Sequence, residues 1–241
     1  MKIGIIGFGR LGQLLTRYLA QDFHVLVYEP EDKRAEIEAL GAEVASLEVC
    51  CQQAAVIPMV PISAFDSVIE QIAPLLPSDG LVIDCCSVKI KPVESMLKHL
   101  PETVSILATH PMFGPDSARE TLFGSKLVLC PVRIADKRYR EIYLYLEKHG
   151  IKLIESTPEE HDRQISRSLF LAHFLGRTLI ELEAQPLEID TKGYRRLMKI
   201  LLTVENDSWQ LFEDMYHYNP YSKEAKDQFL AAVQEVEQQL Q

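Results

Sequence analysis

Residues 2–12 read KIGIIGFGRLG. A short Ile-rich run ends at Gly7, and the FGRLGQLLTRYLA that follows places Leu11, Leu14, Leu15 and Leu19 at helical spacing. The stretch reads as strand, tight turn and helix. Downstream, HVLVYEP (24–30) has the composition of a buried parallel strand, and DKRAEIEALG reads as a helix with Gly41 just past its end. AAVIPMVP (54–61) and GLVIDCCS (80–87) are further apolar runs bounded by turn residues, with the amphipathic SAFDSVIEQIAPLL between them. VSILATHP (104–111), SKLVLCPV (125–132) and IKLIES (151–156) extend the series, with the helix-patterned RYREIYLYLEKHG before the last. This alternation predicts an α/β fold, a Rossmann-type doubly wound and mainly parallel sheet.

From about Thr157 the strand signal stops, and Leu, Ile, Phe, Glu, Gln and Lys recur at three- and four-residue intervals to the last residue. TPEEH has the form of a helix start: Thr157 as N-cap, Pro158 at the first position, Glu160 as capping-box partner. Two domains are therefore expected, a dinucleotide-binding domain over 1–156 and a smaller all-helical substrate and dimerisation domain over 157–241. With no repeat and no low-complexity linker between them, they are expected to pack closely.

The 241 residues are 47% hydrophobic and 25% charged, an ordinary globular balance that excludes disorder, a collagen and a small disulfide scaffold. Thirty-five acidic against twenty-five basic residues leave a formal charge of −10, which argues against nucleic acid and anionic membrane surfaces as partners. No apolar run reaches the roughly 18 residues needed to span a bilayer, and no cleavage-site pattern follows MKIGIIGFGR; a soluble, cytoplasmic protein is expected. Cys50, Cys51, Cys85, Cys86 and Cys130 lack C-x-x-C spacing and read as reduced, mostly buried small apolar residues.

Chemistry begins at the first turn. In GFGRLG, Gly7 permits the turn, Gly9 lets the backbone approach a pyrophosphate, Gly12 allows close helix packing, and the helix N-terminus offers N–H donors to phosphates. Glu29 ends the next strand, 22 residues after Gly7, where a carboxylate meets a ribose hydroxyl. The candidate cofactor contacts are Gly7, Phe8, Gly9, Arg10, Leu11, Gly12 and Glu29, with Pro61 at the end of the 54–61 run. Glu29 would repel a 2′-phosphate, which favours NAD; Lys33 and Arg34 nearby leave NADP open.

Asp84, Ser87 and Lys89 stand in DCCSVK and His110 in ATHPMFGPDS, both at the ends of apolar runs where open α/β sheets place ligands. Oxidising an alcohol requires a group to take or polarise the hydroxyl proton, and histidine, with an ordinary pKa of roughly 6.5, suits that task. His110 is the candidate; a histidine held by loop hydrogen bonds is the other reading of the same spacing.

THPMFGPDS, with DCCSVK upstream and EEHDR (159–163) downstream, resembles the prephenate and arogenate dehydrogenases of tyrosine biosynthesis, the TyrA family. The similarity covers nearly the whole chain. It looks closest to the plant-type arogenate dehydrogenases, because IDTKGY (189–194) and the stretch ending in VENDSWQLFEDMYHYN are similar to their second domain. The resemblance implies NAD(P)-dependent oxidation of the ring hydroxyl of prephenate or arogenate with loss of the ring carboxylate as CO2. It implies His110 as the group that holds or accepts the hydroxyl proton and Ser87 as its partner on the same hydroxyl.

The resemblance also matches His173, in FLAHFLG, to a substrate-pocket histidine reached across the domain cleft; its apolar neighbours equally suit a core histidine. Lys192, Tyr194, Arg195 and Arg196 are further candidate substrate contacts, and Thr191 shares their loop; a solvent-exposed turn is the alternative. His161 in EEHDR suits a packing role. One departure stands out: the arginine with which bacterial relatives clamp a substrate carboxylate falls near Leu202, an apolar position. Arg195, Arg196, Arg163 and Arg167 are the replacement cations considered. Loss of the clamp favours the amino-acid side chain of arogenate. Relatives form intertwined helical dimers, and a short helical domain buries its apolar faces poorly alone, so a homodimer is expected. Three other readings stay open: a different two-domain Rossmann dehydrogenase, a non-catalytic NAD-binding module, and a diverged relative acting on another cyclohexadienyl-like acid.

Overall fold

The computed structural model describes residues 1–118 and 120–241. It divides into two compact units, Met1–Pro158 and Glu159–Gln241.

The first unit is built on eight strands: β1 Lys2–Ile6, β2 His24–Tyr28, β3 Glu43–Val44, β4 Ala55–Pro58, β5 Leu81–Asp84, β6 Ser105–Pro111, β7 Lys126–Arg133 and β8 Lys152–Glu155. They form one sheet in the order β3-β2-β1-β4-β5-β6-β7-β8, parallel throughout except that β7 runs antiparallel to β6. The fold is α/β and Rossmann-like, as the alternation of apolar runs implied. The helices are α1 Arg10–Leu19, α2 Arg34–Ala39, α3 Leu47–Cys51, α4 Ile62–Ile72, α5 Ile90–His99 and α6 Asp136–Lys148. β3 and α3 are absent from the sequence reading: a two-residue strand and a five-residue helix are too short to show a period.

The central strands are apolar on both faces because both are covered. Ile3, Ile5, Val25, Val27, Ile57, Leu81 and Leu107 alternate onto one face, where Ile37 of α2, Leu19 of α1 and Ile142 of α6 meet them. α3, α4 and α5 occupy the other face. Strand order reverses between β1 and β4, whose successors lie on opposite sides, so the crevice at a doubly wound sheet's switch point opens beyond Ile6 and Pro58.

The second unit is helical: α7 Pro158–Arg167, α8 Leu169–Glu181, α9 Lys192–Val204, α10 Trp209–His217 and α11 Ser222–Gln238. Phe170 stacks on Phe212 and Tyr216, with ring centroids 5.6 and 5.9 Å apart, and Phe174 meets Phe229 edge-on. These aromatic contacts tie α8 to α10 and α11. Ser208 caps α10 and Thr191 caps α9, each accepting a backbone N–H three residues on. Among the described residues no helix is long and apolar enough to cross a membrane.

Candidate active site

The turn between β1 and α1 has geometry that only glycine supports at its first position. Gly7 sits at φ +98°, and a Cβ there would lie 2.4 Å from the Met59 carbonyl oxygen at the end of β4. Its N–H donates to Tyr28 O at 2.8 Å, which fixes the turn against β2. Gly12 brings the first turn of α1 down onto Gly7: a Cβ there would be 2.7 Å from Gly7 O. At Gly9 the opposite holds, since a Cβ would meet nothing within 4 Å. Gly9 is the N-cap of α1, with no side-chain cap and no acid in the first turn, so the leading N–H groups of the helix remain available to an anionic group. Glu29 stands just past β2; its Oε2 accepts from Phe8 N at 2.7 Å and its Oε1 from Glu31 N at 3.3 Å. Uncapped helix, open space over Gly9 and a carboxylate at the end of β2 together fit a dinucleotide. Pro61, exposed, is the N-cap of α4 beyond β4.

Arg10, half exposed, donates from Nη2 to both carboxylate oxygens of Asp116 at 2.8 and 2.7 Å, and Tyr18 donates to Ala118 O at 3.1 Å. The segment after β6 is thereby tied along α1. Leu11 is half-buried on that helix.

β5 and β6 are neighbouring parallel strands with Asp84 opposite Ala108, so Ser87 and His110 leave the same end of the sheet. His110 is 5% exposed. Beneath them lies a wholly buried ion pair. The Lys89 ammonium donates to Asp84 Oδ2 and to the Thr109 carbonyl; Asp84 Oδ1 accepts from Cys86 N at 2.7 Å; the Thr109 hydroxyl donates to Asp84 O at 2.7 Å. One lysine thus closes the turn that carries Ser87 and grips the residue preceding His110. Ser87 Oγ is buried and has no hydrogen-bond partner among the described residues. Such a hydroxyl is open to a ligand or a water. Burial pushes the Cys85 thiol up to about 12 and raises Cys86 as well, so neither competes as a nucleophile. An apolar cavity of about 530 Å³ lies on the α1/α6 face of the sheet, lined by Tyr18, Ile57, Ile83, Leu107 and Thr109 among others. His110 does not line it, because it points to the opposite face from its strand neighbours Thr109 and Pro111, which do; Ser87, beyond the end of β5, does not line it either.

In the helical unit, His161 Nδ1 lies 2.7 Å from Asp162 Oδ1, both buried, and Asn219 donates to Asp162 O at 2.9 Å. His173 on α8 is 3% exposed, and its Nε2 stands 3.6 Å from Asp207 Oδ2. Burial, reinforced by the charge of Arg177, lowers this imidazole to about 4; the nearby carboxylate does not outweigh burial. The 190–196 turn is largely occupied with itself: the Tyr194 hydroxyl donates to Gln185 O at 2.8 Å and Arg195 pairs with Asp190. Lys192 and Arg196 are exposed, and Leu202 is 59% exposed.

Residues 16–155 match the family described as prephenate dehydrogenase, nucleotide-binding domain, and residues 178–241 match that described as TYRAAT1-like, C-terminal domain. Arogenate dehydrogenase 1, chloroplastic, of Arabidopsis thaliana is 33% identical across 100% of the chain, and arogenate dehydrogenase 2 of the same plant is 31% identical across 100%. The chain spans 39% of the length of the first and 70% of the second. The crystal structure of prephenate dehydrogenase from A. aeolicus in complex with hydroxyphenyl propionate and NAD+ superposes with a TM-score of 0.80 at 19% identity, covering 100% of this chain and 90% of that one.

Proposed function

The chain belongs to the prephenate dehydrogenase family, and we propose on that basis that it oxidatively decarboxylates arogenate or prephenate, giving tyrosine or 4-hydroxyphenylpyruvate. The observation that carries this reading is the placing, at one end of adjacent strands, of the buried His110 and of a buried Ser87 hydroxyl with no hydrogen-bond partner among the described residues.

A nicotinamide dinucleotide, held by the Gly7–Gly12 turn, the α1 N-terminus and Glu29, would supply the acceptor for the hydride of the ring carbinol carbon. The residues of the chain handle the proton. His110 takes it from the hydroxyl oxygen as the C–H bond is lost, and Ser87 holds the same oxygen in line with the imidazole. The resulting ketone is conjugated through the ring to the carbon bearing the carboxylate. The electrons of the C–CO2 bond therefore flow into the ring, CO2 departs, and the proton held by His110 returns to the phenolate oxygen. Lys89 and Asp84 keep the two proton-handling groups in place.

Near Glu29 the cations are already engaged: Lys33 pairs with Glu31 at 2.9 Å and Arg34 with Glu38 at 3.2 Å. With Glu29 itself in the position of a ribose ligand, this supports NAD over NADP. Exposed apolar side chains of the helical unit, among them Trp209, Val233 and Val236, support a homodimer through that unit; sedimentation at two concentrations checks it, and a concentration-independent monomer refutes it.

The reaction is tested by cofactor reduction with prephenate or arogenate and NAD or NADP, in the native chain and in His110→Asn. Turnover with at least one pair, faster with NAD, and a loss of about a hundredfold or more in the variant are expected. Dinucleotide binding without turnover in all four pairs overturns the reading.

A further inference from the structure

α1 packs beside β2 and α6 beside β8, toward opposite edges of the sheet. They approach each other just past α1, where the Phe23 and Tyr145 rings lie 5.1 Å apart and the Tyr145 hydroxyl donates to Asp22 at 2.8 Å. The cavity of about 530 Å³ lies between the two helices, floored by alternate residues of the central strands: Ile57 of β4, Leu81 and Ile83 of β5, Leu107 of β6. Its size falls within the roughly 300–1,000 Å³ of small-molecule sites, whereas a close-packed interior leaves few voids larger than a water.

The walls define what the cavity can hold. Tyr18, Phe23, Phe113 and Tyr145 bring four aromatic rings to it, which favours a ring making edge or face contacts. The Arg138 guanidinium is spent on backbone carbonyls, Asp79 O at 2.8 Å and Ala54 O at 2.9 Å, and His149 Nε2 stands 3.0 Å from Asp22 Oδ2. The hydroxyls of Tyr18 and Thr109 donate to Ala118 O and Asp84 O. The guanidinium and the imidazole of the lining are thus engaged, and an anion entering would leave water with neither as partner. A neutral molecule meets no such cost.

None of Gly7, Gly9, Gly12, Glu29, Ser87 and His110 lines the cavity, so it is separate from the candidate active site. It nevertheless touches the strands that carry the last two. Cys85 and Thr109 both line it, with Sγ and Oγ1 3.5 Å apart, and the Thr109 carbonyl accepts from Lys89. Thr109 immediately precedes His110, and Cys85 stands two residues before Ser87. We propose that this cavity is an effector site for a neutral, ring-bearing small molecule, which acts on the reaction through Thr109 and Cys85 from behind the strands that position His110 and Ser87. Its effect on turnover rests on the proposed reaction; its occupancy does not.

Calorimetry on the full chain, with and without saturating NAD, measures binding of indole and of indole-3-acetate, the same ring with a carboxylate. The native chain is compared with Leu15→Phe and Ile142→Phe, which extend side chains of α1 and α6 into the cavity. One indole per chain is expected with Kd below about 1 mM, and indole-3-acetate at least about tenfold weaker. Both variants are expected to melt within about 3 °C of the native chain and to bind indole at least about tenfold more weakly. At saturating substrate, indole is expected to change the native kcat about twofold or more and to leave that of the variants unaffected. Indole binding that is absent, that NAD displaces, or that persists at native strength in a variant melting like the native chain overturns the proposal, and so does binding that leaves kcat unchanged. An affinity for indole that falls as the chain is concentrated shows a second copy over the cavity and overturns it too. If the native chain turns over neither prephenate nor arogenate, the proposed reaction fails, while the binding comparison still decides the site.

Discussion

Lys89→Met is the most informative single change in the first unit. Methionine keeps much of the apolar stem and removes the ammonium, leaving Asp84 at 0% exposure with Cys86 N–H as a remaining donor and the Thr109 carbonyl without the ammonium. Removing one partner of a fully buried pair costs about 3–5 kcal/mol, because the surviving charge has lost its counter-ion. At about 2–4 °C per kcal/mol for a unit of this size, the melting transition should fall by roughly 6–20 °C. Asp84→Asn/Lys89→Met removes the orphaned charge while keeping an acceptor for Cys86 N–H, and should recover half or more of the loss. Scanning calorimetry on the native chain, both single variants and the double variant measures the coupling directly. Because the pair closes the Ser87 turn and grips Thr109, kcat should fall further in Lys89→Met than dinucleotide affinity does. A Lys89→Met transition within about 3 °C of native, or a double variant no better than the singles, would refute the claim that this pair organises the site.

Gly7→Ala should cost about 2–5 kcal/mol, combining a side chain at φ +98° with a Cβ 2.4 Å from Met59 O, and should weaken dinucleotide binding at least about tenfold; chemical denaturation and calorimetric titration read the two effects. His173 gives the helical unit an acid dependence. Its imidazole is held at about 4 when folded and returns toward 6.5 when unfolded, so the unfolded chain binds the extra proton between those values. The stability is complete above about pH 6.5 and is lost as the pH falls toward 4, by about 3 kcal/mol in all. Melting profiles against pH should be correspondingly flatter in His173→Gln; identical acid slopes would show that another group is responsible.

The glycine turn and the strands around it are legible because each depends on local chemistry. Gly7, Gly9 and Gly12 occupy positions set by one backbone path, and the runs at 24–30, 54–61 and 104–111 are apolar because a covered parallel strand must be. His110, Ser87 and Glu29 could be singled out because strand ends are where an open sheet offers side chains to a ligand. The short β3 and α3 leave no period, and the reversal at β7 is invisible because an apolar run has the same composition in either direction.

The cationic candidates show the other limit. Arg195 and Lys192 stand out in sequence as charges beside a glycine, yet one is paired with Asp190 within its own turn and the other is exposed. Lys89 has the more telling environment, since it is wholly buried against Asp84 and its place in DCCSVK does not reveal that burial. The sequence by itself determined the order of elements and the dinucleotide turn, since these follow from periodicity and local stereochemistry, while the pairing of His110 with Ser87 came from its resemblance to a known family. Only the tertiary structure decided which charges are buried, which carboxylates neutralise them and which polar atoms remain unmet, because those depend on residues brought together from 5 positions apart for Asp84 and Lys89 to 30 for Arg177 and Asp207.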